Sequence, residues 1–206
     1  MNKIVFVVLL LLISFGAVEK LSARSLQSTE DIFEVDERQK LSIVEAIKLA
    51  SPSALEWDEN AQLLTAMNID LEDKAEQSIG SNGKRKYWNI AFGVADTNKY
   101  FLVTIYKGEI VEAEDHTTEG SSPYLKNELA VLKDINYDSP ELLKKALQLN
   151  AINPGNDWAK GYSFIIRKDP ETNITLMLVV GWNKELDNMV AVYFDVTNGK
   201  HLVTSN

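Results

Sequence analysis

The sequence predicts an α+β fold made of two repeated units, in which each unit packs one helix on a small antiparallel β-sheet. Residues 189–203 and, about ninety positions earlier, residues 100–111 both read as a β-rich run, a glycine-containing turn and a short returning strand. Two amphipathic helical stripes lie about one hundred positions apart. A chain of 206 residues without cysteine must hold such units through hydrophobic cores alone.

The N-terminal segment has the three parts of a secretory signal peptide. A short start with Lys3 precedes an unbroken apolar run over residues 4–13, and small residues follow at Ser14, Gly16 and Ala17. The apolar run is shorter than the roughly 20 residues that span a bilayer.

We therefore expect a cleavable signal peptide within residues 1–18. Cleavage after Gly16 is the first choice and cleavage after Ala23 is the second, because small residues precede both bonds. An uncleaved N-terminal anchor is the alternative, and both interpretations predict that the remaining chain is exported, to the periplasm or the medium. Residues 19–40 are polar and lack a sustained period, which predicts a polar arm or linker.

The first unit is predicted over residues 41–115, and it begins with a helix. Ser42 and Glu45 have the spacing of a capping box, and Ser51-Pro52 is expected to end the helix. Apolar residues follow the cap with helical spacing at Ile43, Ala46, Ile47 and Ala50.

The second unit is predicted over residues 138–206, after a connector at 116–137. Ser139 is the expected cap, and Pro140 is expected at the first helical position. An apolar stripe follows at Leu142, Leu143, Ala146, Leu147 and Leu149.

Extended runs with β-rich composition follow each predicted helix. They cover residues 62–70, 86–95 and 99–106 in the first unit, and 161–169, 174–182 and 188–196 in the second. Asp96-Thr97-Asn98 is a predicted hairpin turn, since these residues tolerate tight backbone angles. Trp57 and Trp158 each follow a helix, and we expect them to pack helix on sheet rather than to stack on a ligand.

The end of the chain resembles the PepSY domain family. The resemblance rests on residues 192–202, where an apolar strand is followed by Asp195, Gly199 and Lys200 with the spacing Asp-x-x-x-Gly-Lys-x-Leu. The first half matches less well, because its turn at residues 106–109 is shorter and lacks the aspartate. The resemblance implies tandem units in an exported, non-catalytic module that binds or restrains peptidases or acts in regulation at the cell surface.

Composition excludes several classes of function. The net charge of −9 disfavours nucleic acid and anionic membrane surfaces as partners, because both select a basic face. The absence of cysteine excludes a cysteine-linked lipid anchor and a disulfide scaffold.

No catalytic motif is evident, so we expect a protein that is not an enzyme and has no cofactor or metal. The two histidines, His116 and His201, read as surface residues, and residues 80–84 lack the glycine of a phosphate loop and read as a solvated loop tip. Two acidic clusters, Glu112, Glu114 and Asp115, and Asp70, Glu72, Asp73 and Glu76, read as solvated charged segments. Asn173 begins a tripeptide that fits a glycosylation acceptor, a pattern common by chance.

The sequence therefore predicts an exported, non-catalytic binding module, which could inhibit or regulate a peptidase or another envelope protein. The expected partner is a protein or peptide that meets a sheet face, the seam between units or an exposed edge strand. The alternative is a carrier of a small apolar ligand. A hydrolase that uses paired carboxylates is the third and weakest interpretation.

Overall fold

The computed structural model of the chain describes residues 39–69, 78–156 and 159–205. The predicted signal peptide, the polar arm up to residue 38 and Trp158 lie outside the described residues. None of the helices in the described ranges has the length and apolar character needed to cross a membrane.

The first helix, α1, covers Ile43–Trp57 and begins at the predicted cap. The Ser42 N–H donates to Glu45 Oε2 at 2.8 Å, and the Glu45 N–H donates to Ser42 Oγ at 3.2 Å, which completes the capping box. The prediction that Ser51-Pro52 ends this helix was wrong, because Pro52 lies inside it. Packing of the last turns outweighs the backbone hydrogen bond that a proline removes, since Ala54 is fully buried in the core.

The second helix, α2, covers Ser139–Gln148 and carries the predicted stripe. Its cap is Asp138 rather than Ser139, which is the first helical residue and is buried. Leu142, Leu143 and Ala146 turn inward.

One antiparallel sheet contains all eight described strands, in the order β4-β3-β2-β1-β5-β6-β7-β8. The strands are β1 Gln62–Asn68, β2 Tyr87–Gly93, β3 Tyr100–Tyr106, β4 Glu109–Asp115, β5 Ser163–Lys168, β6 Thr175–Trp182, β7 Met189–Asp195 and β8 Lys200–Ser205. The six predicted extended runs begin and end within two residues of the bounds of β1, β2, β3, β5, β6 and β7.

The predicted fold class was wrong, because the strands do not form two small sheets. β1 and β5 pair antiparallel, with Thr65 opposite Arg167 and Met67 opposite Ile165, and this pairing joins the halves into one sheet. As the edge of a separate sheet, each strand would expose a row of unpaired backbone groups, and the pairing removes both edges. Gln39–Asn206 is accordingly a single compact unit.

The two helices pack on one face of the sheet, which we call the helix face; the other is the second face. The helix-face core spans both halves and includes Trp88, Phe92, Phe164 and Phe194, all nearly inaccessible to solvent. All eight residues of β6 are buried, as in strands that are buried on both faces. A smaller apolar cluster on the second face contains Leu176, Leu178 and Val180.

The N-termini of α1 and α2 meet at a cluster that we call the cap junction, formed by Ser42, Gly83, Asp138 and Ser139. Ser42 Oγ donates to Asp138 Oδ2 at 2.6 Å, and the Val44 N–H of α1 donates to Asp138 Oδ1 at 3.2 Å. Ser139 Oγ accepts from the Ile43 N–H and donates to the Gly83 carbonyl at 2.6 Å. One carboxylate therefore caps α2 and accepts a further N–H of α1, beside the Ser42 cap of that helix.

Candidate functional site

Edge strand β4 is the most acidic surface among the described strands. All seven of its residues are exposed, and four of them are carboxylates: Glu109, Glu112, Glu114 and Asp115. Side chains alternate along a strand, so Glu112 and Glu114 lie on the second face, opposite Thr104 and Leu102 of β3. His116 continues this row, and its backbone N–H donates to the Tyr100 carbonyl at 2.9 Å.

The structure brings together three residues that the sequence singled out. His116 Nε2 lies 3.9 Å from Glu112 Oε1 and 4.0 Å from Glu114 Oε2. These three side chains are the group among the described residues that could hold a metal ion, since their ligand atoms lie within 4.8 Å of one another. All three are exposed, so the arrangement equally suits a solvated acidic row, as the sequence predicted.

A cleft of about 320 Å³ adjoins this row at the start of β3. It is lined by Asn98, Tyr100, Leu102, His116, Thr118, Ser121 and Tyr124. The rings of Tyr100 and Tyr124 have centroids 6.5 Å apart and planes tilted by 35°. The lining contains no lysine or arginine.

The Tyr124 ring is held in place by its backbone and by a glycine. The Tyr124 N–H donates to the Thr97 carbonyl, and the Tyr124 carbonyl accepts from the Asp96 N–H, each at 2.8 Å. A Cβ atom added at Gly93 would lie 3.1 Å from Tyr124 Cδ2, so the ring packs closely over this glycine. The β2–β3 hairpin therefore fixes one wall of the cleft.

Both tyrosines of the cleft stay uncharged near neutral pH. Burial raises the pKa of Tyr100, and the neighbouring Tyr124 raises it further. Burial also raises the pKa of Tyr124, and the negative charge of Glu128 adds to the effect. The hydroxyl groups are consequently neutral, and each can donate or accept a hydrogen bond.

Asp115 and Trp57 lie on the helix face and serve packing. The Trp57 ring stacks on the Phe101 ring, with the ring centroids 5.1 Å apart. The Trp57 Nε1–H donates to Asp115 Oδ2 at 2.9 Å. Hydrogen bonds from the Thr117 side chain and from Trp57 lower the pKa of the Asp115 carboxyl. Trp57 therefore joins the end of α1 to the sheet, the role that the sequence favoured.

The other residues predicted to lie at the surface fall at three separate places. His201 lies on edge strand β8, with Nε2 3.0 Å from Thr204 Oγ1, and Asn173 lies in an exposed turn. The prediction of a solvated tip at residues 80–84 was wrong for Gly80 and Gly83, which are buried. This loop packs on α2 beside a second open cleft of about 410 Å³. The acidic cluster at positions 70–76 lies outside the described residues.

No protein-family model matches the chain, and no curated protein matches it. Among solved structures, the chain is similar to a protein of Clostridium difficile 630 described as a "putative lipoprotein", with a TM-score of 0.44 and 11% sequence identity over 73% of this chain and 86% of that chain. The PepSY resemblance stays a prediction.

Proposed function

We propose that the chain is an exported, non-catalytic binding module whose partner is an extended, basic protein segment that adds to the sheet beside β4. The observation that supports this proposal is an edge strand of seven residues, every one exposed, with a row of carboxylates along one side. Strand addition to an open sheet edge is a recurrent mode of peptide recognition. A peptidase is the partner class that the PepSY resemblance implies.

The backbone of β4 has the geometry that strand addition requires. The N–H of His116 points toward β3, because it donates to the Tyr100 carbonyl. Backbone groups alternate along an antiparallel ladder, so the N–H groups of Ala113 and Asp115 point away from β3. An added strand would accept hydrogen bonds from these outward N–H groups.

The charges of β4 select the partner. An added segment with basic residues at alternate positions would place them beside Glu112 and Glu114, because side chains on one face recur every second residue. A second copy of the same edge would instead oppose carboxylates with carboxylates, which is unfavourable. The same row thus disfavours self-association and favours a cationic partner.

The edge at β8 differs in this respect. Its six residues are also exposed, but its charged side chain is Lys200, and Leu202 to Ser205 are uncharged. It therefore offers no charge selection for a basic segment. This contrast makes β4 the better candidate.

A carrier of a small apolar ligand has less support. The clefts of about 320 and 410 Å³ beside Tyr100 and beside α2 are both open to solvent. A carrier encloses most of its ligand's surface in a pocket.

Substitution of Ala113 by proline tests the strand-addition mode. Proline removes the outward N–H without removing a ladder bond, so we expect it to weaken binding of the peptide Ac-Val-Arg-Val-Arg-Val-NH2 by about tenfold, the loss of one hydrogen bond. Ala113→Val keeps the N–H and should bind within about twofold of the parent chain. Isothermal titration calorimetry measures both.

The peptide Ac-Val-Glu-Val-Glu-Val-NH2 is the charge control and should not bind. Circular dichroism of Ala113→Pro verifies that the sheet is retained. Equal affinity of the proline and valine variants would show that the peptide does not pair with β4. Equal affinity for the arginine and glutamate peptides would remove the proposed charge selection.

The proposed export has its own test. We expect the chain expressed in its native cells to appear in the periplasmic or secreted fraction with a new N-terminus at Ala17, the residue after the predicted cleavage site. Intact-mass spectrometry of the fractionated protein reads this directly. A chain retained in the cytoplasmic fraction with residues 1–16 intact would contradict the proposal.

A further inference from the structure

We propose that the cleft between Tyr100 and Tyr124 binds an arginine side chain of the partner segment. This inference rests on the proposed function for the source of the arginine. The cleft lies at the His116 end of the carboxylate row, and a long side chain on a strand added beside β4 can reach across β4 toward it. It gives the partner a specific contact beyond general charge attraction.

The lining suits a guanidinium group in shape and chemistry. The Tyr100 and Tyr124 rings offer two π-faces, on which arginine stacks more readily than lysine. Leu102, a half-buried residue of the lining, can pack against the methylene stem. Both rings would therefore contribute through their π-faces rather than through their hydroxyl groups.

The charges around the cleft have the matching sign. Glu114 lies beside Leu102 on the same face, and its Oε2 is 4.0 Å from His116 Nε2. Glu128 lies near enough to Tyr124 for its charge to affect the phenol. The nearby Lys126 and Lys99 are paired with Asp96 and Asp58 at 3.7 and 2.7 Å. A cation in the cleft therefore meets a net negative surrounding.

The cleft is also formed before any partner arrives. Backbone hydrogen bonds of Tyr124 to the β2–β3 hairpin fix one wall of the cleft. A second wall contains Asn98 and Thr118, and the Asn98 side chain donates to the Thr118 carbonyl at 3.0 Å. Ser121 Oγ donates to the same carbonyl at 2.7 Å. A preformed site orders only the incoming side chain, which reduces the entropic cost of binding.

The test titrates the exported chain with Nα-acetyl-arginine methylamide and with its neutral isostere, Nα-acetyl-citrulline methylamide, in EDTA to exclude a metal ion at Glu112, Glu114 and His116. Amide shifts in ¹⁵N–¹H NMR spectra report where each compound binds. We expect saturable shifts at Tyr100, Leu102 and Tyr124 with the arginine compound. The citrulline compound should bind at least about tenfold more weakly, because its side chain carries no charge.

Two variants isolate the ring and the charge. Tyr124→Ala and Glu114→Gln should each weaken the arginine compound by about two- to fivefold, the range of an exposed cation–π or ion-pair contact. Tyr124→Phe keeps the ring and should stay within about twofold of the parent. Glu109→Gln removes a carboxylate from the far end of β4 and should have no effect.

Each outcome distinguishes this inference from the proposed function. Equal binding of the two compounds, or equal losses in Tyr124→Ala and Tyr124→Phe, would overturn the arginine site and leave strand addition untouched. Agmatine that binds as tightly as the arginine pentapeptide would show a site for a free cation, which would also overturn it. Binding of the arginine compound in the cleft, with no effect of Ala113→Pro on the pentapeptide, would instead sustain the site and contradict strand addition.

Discussion

Replacement of Asp138 by alanine is expected to lower the free energy of unfolding by about 1–4 kcal/mol, because it removes a side-chain acceptor at the N-termini of two helices at once and one such helix-cap contact contributes about 0.5–2 kcal/mol. Asp138 accepts hydrogen bonds from the Ser139 N–H at 2.7 Å in α2 and from the Val44 N–H at 3.2 Å in α1. Its carboxylate also lies at the positive ends of both helix dipoles.

The variant has a further cost at Ser42. The Ser42 hydroxyl donates to Asp138 Oδ2, and Ser42 is only 1% exposed. Alanine at position 138 would therefore leave the buried Ser42 hydroxyl without that acceptor. The Asp138→Asn variant retains Oδ1 as an acceptor but loses the charge, and we expect about half of the effect.

Urea denaturation followed by circular dichroism measures the change. Asp134→Ala is the matched control, since Asp134 is an exposed aspartate a few residues upstream, and its loss should change stability by no more than about 0.5 kcal/mol. A loss in Asp138→Ala no larger than in the control would contradict the shared cap.

Local elements of this fold could be predicted from sequence, whereas their assembly could not. The strand positions follow from apolar runs and turn residues, and the α1 cap follows from the Ser42–Glu45 spacing. The pairing of β1 with β5 joins residues about one hundred positions apart, such as Ala66 and Ile166. Local periodicity contains no information about which strand lies beside which, so two separate sheets and one continuous sheet give the same pattern.

The errors at Pro52 and at residues 80–84 also arise from tertiary contacts. Pro52 is a strong local stop signal, and only burial of Ala54 and stacking of Trp57 on Phe101 explain why α1 continues past it. Residues 80–84 have the composition of a solvated tip, but Gly83 is buried against the start of α2 and Gly80 is buried against Tyr162 and Phe164. Tertiary packing outweighs local propensity in both cases.

The candidate site could be predicted only in part. Glu112, Glu114 and His116 recur every second residue in the sequence, so a shared face followed once β4 was recognised as a strand. Tyr124 gave no such signal, because it lies in the connector at 116–137, where no period exists. Its approach to Tyr100 depends on hydrogen bonds to the Asp96-Thr97 turn and on the absence of a side chain at Gly93.

Replacement of Gly83 by alanine is expected to lower the free energy of unfolding by about 3–5 kcal/mol, the combined cost of a left-handed backbone and an overpacked contact. Gly83 has a φ of +81°, a conformation that side chains with a Cβ disfavour. The added Cβ would overlap Pro140 Cα and would lie 2.9 Å from the Ser139 carbonyl carbon. Both are backbone atoms at the start of α2, so no side-chain rotation relieves the contact.

Gly120→Ala separates the two contributions to this loss. Gly120 has the same φ of +81°, but a Cβ added there would meet nothing within 4 Å. We expect a loss of about 1–2 kcal/mol at Gly120, which is the backbone cost alone. Similar losses at Gly83 and Gly120, measured by urea denaturation, would show that the loop does not press on α2.

The double variant Gly83→Ala/Asp138→Ala tests whether the cap junction is one cooperative structure. A Cβ at Gly83 displaces Ser139 and Pro140, and this displacement also weakens the bonds that Asp138 makes. Asp138→Ala then costs less stability in the Gly83→Ala background than in the parent chain. We therefore expect the double variant to lose at least about 0.5–1 kcal/mol less than the sum of the two single losses in the free energy of unfolding. Additive losses would mean that the loop and the shared cap stabilise the two helices independently.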